Sequence, residues 1–167
     1  MIQIDTPRLI LRPLTPDDAP AVFTWVGDPV VNRYMPYPLY TRVEDVRTWI
    51  TSLAPDSGEF GFVRREDGLL IGAGSIKEQE DGAWEVGYNL RRDAWGQGYA
   101  TEAARAMIDW AHRERGATRF VAAHVTANAA SGRVLRKCGY RFVRYGQYEK
   151  YDGSEVFDAS FYEMEVP

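Results

Sequence analysis

The hydrophobic period changes several times along the chain, and each change marks an element. In "PRLILRPLT" (7 to 15), Leu9 and Leu11 alternate with Arg8, Ile10 and Arg12, the two-residue period of a strand with one wetter face. Thr15, with Pro16 next and Asp18 three positions on, predicts a helix that carries Ala19, Val22, Phe23 and Val26 inward until Gly27, Asp28 and Pro29 stop it. A second helix is expected from Thr41, where Thr-x-x-Glu to Glu44 makes a capping box and Val43, Val46, Trp49, Ile50 and Leu53 form the apolar face. The period then falls to two. "GEFGFVRRE" (58 to 66) and "LLIGAGSIKE" (69 to 78) flank the hairpin signal Asp67-Gly68, and "WEVGYNL" (84 to 90) follows an Asp81-Gly82 turn. These three strands form an antiparallel meander. In the third, Trp84, Val86, Tyr88 and Leu90 share one face, while Glu85, Gly87 and Asn89 share the other.

Helical spacing returns with Ala100, Ala103, Ala104, Met107, Ile108 and Ala111, and Gly116 supplies the stop. "RFVAAHV" (119 to 125) reads as a strand, "NAASGRVLRKC" (128 to 138) as a short helix, and the remainder to Val166 as two strands around Asp152-Gly153. The order β-α-α-β-β-β-α-β-α-β-β describes a mixed α/β fold with helices covering a largely antiparallel sheet. Residues 1–167 contain no repeat, low-complexity tract or linker, and 45% hydrophobic with 13% aromatic content fills one core, so a single domain is expected.

Composition narrows the function. The net charge of −4 comes with scattered basic residues, so the phosphate-neutralising stripe of a nucleic-acid binder is not visible. No secretory signal order and no apolar run near the roughly 20 residues of a membrane span are present, and a cytoplasmic protein is expected. Cys138, the sole cysteine, excludes an internal disulfide and a cysteine-based zinc cluster, and no metal is expected; it reads as a small packed residue.

The candidate chemistry lies in "AWGQGYATEAARAMIDWAH" (94 to 112), where two glycines, a small residue and a threonine lead into a helix. The first turn of a helix offers unpartnered backbone N–H groups and the positive end of the macrodipole, and bare residues let a phosphate reach them. The stretch therefore reads as an anion cradle or as a plain chain reversal. A nucleoside-triphosphate loop would need a lysine after the last glycine, and a dinucleotide fingerprint would need Gly or Ala where Thr101 stands. Neither fits.

Together, "WEVGYNL", "WGQGYATEA" and "NAASGRVLRKCGYRFV" resemble the GCN5-related N-acetyltransferases, in particular the branch with the ribosomal-protein alanine acetyltransferases. The likeness runs from "TPRLILRPLTPDD" to "VFDASFYEMEV" and implies that family's fold, with acetyl-coenzyme A as acyl donor and no acyl-enzyme. It implies that the pyrophosphate is held on the backbone amides of Trp95, Gly96, Gln97, Gly98, Tyr99 and Ala100, with the Thr101 hydroxyl beside them. Trp95 stands where many relatives carry Arg or Gln. The pantetheine arm is expected to pair with the backbone near Leu90, and Asn128 to bond it or cap the helix. Arg133, Arg136 and Lys137 lie near enough along the chain to meet phosphates, or form a solvated helix face.

The same resemblance implies direct attack by a primary amine on the thioester, with Glu85 as general base, or as an ordinary exposed acid, and His124 in reserve. Many relatives place a tyrosine seven residues after the asparagine to protonate the departing thiolate; here that position is Leu135, and Ser131 is the candidate instead. Tyr34 and Tyr37 in "NRYMPYPLY" (32 to 40) are candidate acceptor contacts in a stiff aromatic wall, or packing residues. The expected partner is an amine acceptor, either a peptide N-terminus or a small molecule, with no nucleic acid and no membrane. A homodimer suits the family, although no residue argues for it. The alternative is a non-catalytic acyl-coenzyme A binder, made thinkable by Leu135.

Overall fold

Two Asp-Gly turns fold residues 59–90 into the centre of an eight-stranded sheet. The computed structural model describes all 167 residues. In chain order the elements are β1 (Ile4–Asp5), β2 (Leu9–Arg12), α1 (Ala19–Val26), α2 (Pro29–Asn32), α3 (Val43–Ser52), β3 (Glu59–Arg64), β4 (Leu70–Glu78), β5 (Trp84–Leu90), α4 (Tyr99–Arg115), β6 (Arg119–Val125), α5 (Ala129–Cys138), β7 (Arg141–Glu149) and β8 (Val156–Glu165). The sheet order is β1-β2-β3-β4-β5-β6-β8-β7, antiparallel everywhere except between β5 and β6. This is the mixed α/β fold that the periodicity predicts, with β1 and α2 added.

Each face of the sheet carries its own core. Phe60, Phe62, Met107 and Phe120 are wholly buried between the sheet and α4, each burial stabilising the fold by about 1.5–3 kcal/mol. Val22, Trp25, Val46 and Ile50 of α1 and α3 pack against Leu70 and Ala73 on the opposite face. The meander alternates between the two cores as read: Val86 and Leu90 turn toward α4, whereas Glu85 and Asn89 lie opposite Lys77 and Ala73 on the α1–α3 face.

Three local readings change. Pro16–Asp18 forms a 3₁₀ turn, with the Thr15 N–H donating to Asp18 Oδ2 at 2.8 Å, and α1 proper begins at Ala19. With that phase Trp25 is wholly buried and Phe23 only half so. Asp28 and Pro29 do more than end α1: the Val30 N–H donates to Asp28 Oδ1, and Pro29 opens the one-turn α2. The Thr41 box does not form, since Arg42 is the N-cap of α3 without a side-chain cap bond; Val46 and Ile50 are its buried residues.

One sheet feature positions the site. β5 and β6 are registered at only two pairs, Trp84 with Phe120 and Glu85 with Val121. Beyond Glu85 the strands part, leaving the β6-facing edge of β5 over residues 86–90 without a strand partner.

Candidate active site

Where β5 and β6 separate, the N-terminus of α4, the start of α5 and residues 29–35 enclose a groove of about 780 Å³. Its wall brings together Leu90, Trp95, Gly96, Gly98, Tyr99, Ala100, Thr101, Asn128, Ser131 and Tyr34, residues drawn from four separate stretches of sequence.

The cradle is built from backbone. Gly96 and Gly98 take φ of 73° and 82°, left-handed values that a β-carbon would strain, and they turn the chain into α4. The N–H groups of Gly96, Gln97, Gly98, Tyr99, Ala100 and Thr101 donate to no acceptor in the protein. Six consecutive free donors at the positive end of a 17-residue helix fit a pyrophosphate. Arg8 braces the turn from outside: Nη1 donates to Gln97 O at 2.8 Å, Nε to Glu102 Oε2 at 2.7 Å, and the guanidinium lies 4.4 Å from the Tyr99 ring centroid. Trp95 is 46% exposed and its indole N–H donates to Leu90 O at 3.0 Å, so that carbonyl has one lone pair already engaged.

Asn128 precedes α5 without making a side-chain cap bond, which leaves its amide available to the groove. Arg133 and Lys137 also line the groove, while Arg136 turns away and donates to the Tyr162 hydroxyl at 3.2 Å. Ser131 Oγ lies 3.0 Å from the Tyr88 hydroxyl.

Comparison with known proteins decides the family. Residues 8–141 match the acetyltransferase (GNAT) domain family. The chain belongs to that family. It is an acetyl-CoA-dependent acetyltransferase. The uncharacterized N-acetyltransferase YnaD of Bacillus subtilis is 30% identical over 165 residues, covering 96% of this chain and 95% of its own. A GNAT-family acetyltransferase structure from Bacillus anthracis superposes with a TM-score of 0.88 at 25% identity over 98% of both chains. RimL, a ribosomal L7/L12 α-N-protein acetyltransferase solved with coenzyme A, shares the fold at a TM-score of 0.80 and 21% identity, over 99% of this chain and 98% of its own.

On the other face of this GNAT sheet, Glu85 stands exposed on β5. Although the residue meets solvent, the neighbouring chain removes part of the water around its carboxylate and raises its pKa above the ordinary value, and no cation or hydrogen bond offsets the rise. Burial also lifts the Tyr148 phenol, to which Tyr151, Glu85 and Tyr37 add. Tyr37 does not line the groove: its hydroxyl accepts a hydrogen bond from Asn89 Nδ2, and its ring tilts against Tyr40. Tyr34 reaches the groove wall while packing edge-on against Phe157 of β8.

The 32–40 segment is also tied to the β7–β8 hairpin, which sequence spacing did not reveal. Lys150 Nζ donates to Asn32 O, Asn32 Oδ1 and Met35 O at 2.8–3.2 Å, the Tyr151 N–H donates to Pro36 O at 2.8 Å, and Arg33 pairs with Glu155. The two segments form one arch.

The remaining candidates are packed. His124 is buried, its Nδ1 lies 2.6 Å from Val125 O and its Nε2 3.3 Å from the Tyr162 hydroxyl; burial, with the Arg136 charge, lowers its pKa despite the Val125 contact. Cys138 donates to Thr101 O, and burial pushes its thiol up to about 11, far from an activated thiolate. Leu135 is wholly buried in the α4 core.

Proposed function

We propose that this acetyltransferase moves the acetyl group to a primary amine by direct attack in a ternary complex, with Glu85 as base and Ser131 as proton donor. The reading rests on the parting of β5 and β6 immediately after Glu85, which opens the groove along Tyr88, Asn89 and Leu90; Glu85 itself lies outside the groove wall, at the last paired position of β5. Acetyl-CoA supplies the acetyl thioester. The free amides of residues 96–101 hold its pyrophosphate, and Asn128 and the open edge of β5 align the arm behind it.

The amine arrives from the α1–α3 face, beneath the arch of residues 32–40 and the β7–β8 hairpin. Glu85, with its raised pKa, takes the ammonium proton directly or through water. An unpaired N–H on the β5 edge donates to the carbonyl oxygen as negative charge develops there. Ser131, on the opposite face, passes its hydroxyl proton to the departing sulfur. Holding both reactants in one groove supplies much of the acceleration.

The test is Glu85→Gln, which keeps shape and removes the base. Turnover falls about a hundredfold or more while acetyl-CoA affinity stays within a factor of two. Unchanged turnover overturns the assignment of Glu85.

A further inference from the structure

The leaving-thiol end of the groove holds a second hydroxyl that the reaction above does not use. Tyr88 and Ser131 both line the groove, one from the unpaired length of β5 and the other from the first turn of α5. The Tyr88 hydroxyl lies 3.0 Å from Ser131 Oγ and 3.3 Å from Ser131 O. The phenol carries one hydrogen and faces two acceptors on the same residue, and the serine oxygen is the nearer of them. Burial raises the Tyr88 pKa, so the phenol keeps its hydrogen across the working pH range.

From this geometry we infer that Tyr88 is the positioning residue for Ser131: its hydroxyl donates to Ser131 Oγ and leaves the serine hydrogen free to point at the departing sulfur. The proton balance closes over the whole reaction: the Ser131 O–H bond breaks as the S–H bond forms, Ser131 Oγ takes the Tyr88 hydrogen, and the proton that the acceptor nitrogen loses as the amide forms returns through water to the Tyr88 oxygen. An aliphatic alcohol alone is a poor acid, and donation from a phenol stabilises the alkoxide character that develops on Oγ. The arrangement accounts for Leu135, which carries no proton and is buried in the core, because two hydroxyls act from β5 and α5 instead.

This inference depends on the reading of Ser131 as proton donor, and a double-mutant cycle separates the two. Ser131→Ala is expected to lower kcat about a hundredfold and Tyr88→Phe about tenfold, both with the KM for acetyl-CoA unchanged. In the combined variant kcat is expected to match Ser131→Ala alone, since the phenol then has no serine to orient. If Tyr88→Phe leaves kcat unchanged while Ser131→Ala lowers it, or if the two losses multiply, the positioning role is overturned and the serine assignment survives. If Ser131→Ala leaves kcat unchanged, both fall. Tyr88→Phe removes a single oxygen, and its acetyl-CoA affinity, measured in the same preparation, reports an intact groove.

Discussion

Arg8 and Glu102 stand 94 positions apart, yet Glu102 accepts from both the Arg8 side chain, at 2.7 Å, and the Arg8 backbone N–H, at 2.8 Å. Glu102 also takes the Thr6 hydroxyl at 2.7 Å, so one carboxylate in the first turn of α4 fastens the segment before β2 to the cradle. Burial works against the charged form, but the Thr6 hydroxyl and the Arg8 donors outweigh it and hold the carboxyl below its usual range.

A depressed folded pKa gives stability that is complete above the unfolded value, about 4.3, and lost as pH falls through the folded one. Glu102→Gln therefore flattens the acid side of the thermal-stability profile. It also loosens the Gln97 turn, raising the KM for acetyl-CoA several-fold at neutral pH. An unaltered KM would show that the cradle does not need this brace.

Gly98→Val places a β-branched side chain at φ 82° and a β-carbon 3.3 Å from Arg8 Nη2. The backbone strain is on the order of 1–3 kcal/mol, and the new side chain crowds the amides proposed to hold the phosphates. Calorimetric titration with acetyl-CoA is expected to show affinity falling at least tenfold, and unchanged affinity would place the pyrophosphate elsewhere.

Lys150→Met removes three hydrogen bonds that tether residues 32 and 35 to the hairpin. The arch loosens, the KM for the amine acceptor rises about tenfold, and acetyl-CoA affinity does not change. Faster amide hydrogen exchange confined to residues 32–40 and the hairpin would accompany it. A rise in the acetyl-CoA constant instead would mean that the arch serves the coenzyme.

His124 has a folded pKa below 6.5, so its contribution to stability is complete above that value and lost as pH falls toward the folded one. Thermal midpoints measured from about pH 7 down to about pH 5 decline in the native protein. In His124→Gln the decline is smaller, and because the ring is packed beneath α5, away from Glu85, the pH dependence of turnover keeps its form.

The proposed base, Glu85, is expected to set that pH dependence. A base acts when deprotonated, so kcat/KM is expected to fall as pH drops through the raised pKa of Glu85, with the acid limb above the ordinary carboxylate range. Glu85→Gln removes the limb along with most of the rate.

The parts of the fold legible in sequence are those whose signals are local. The meander announces itself through two Asp-Gly turns and an alternation that correctly assigns Val86 and Glu85 to opposite faces. The amide cradle shows in its glycines, because left-handed backbone demands them. By contrast β1 spans only two residues, too few for a period, and α2 hides behind an Asp-Pro pair that reads equally well as a stop. The contacts that shape the site join residues far apart: Arg8 with Glu102, Tyr88 with Ser131, Lys150 with Asn32. No spacing rule reaches across such separations. Leu135 illustrates the same point from the other side, since its sequence position suggests a missing acid whereas the folded chain reveals Tyr88 beside Ser131.

Amine acetylation is tested most directly by coenzyme A release from acetyl-CoA, with mass detection of the acetylated product, across three pools: peptides of varied N-termini, polyamines with aminoglycosides, and free amino acids. Thiol release matched one-for-one by an N-acetylated member of one pool is the predicted result. Tight acetyl-CoA binding with no acetylated amine in any pool would contradict it.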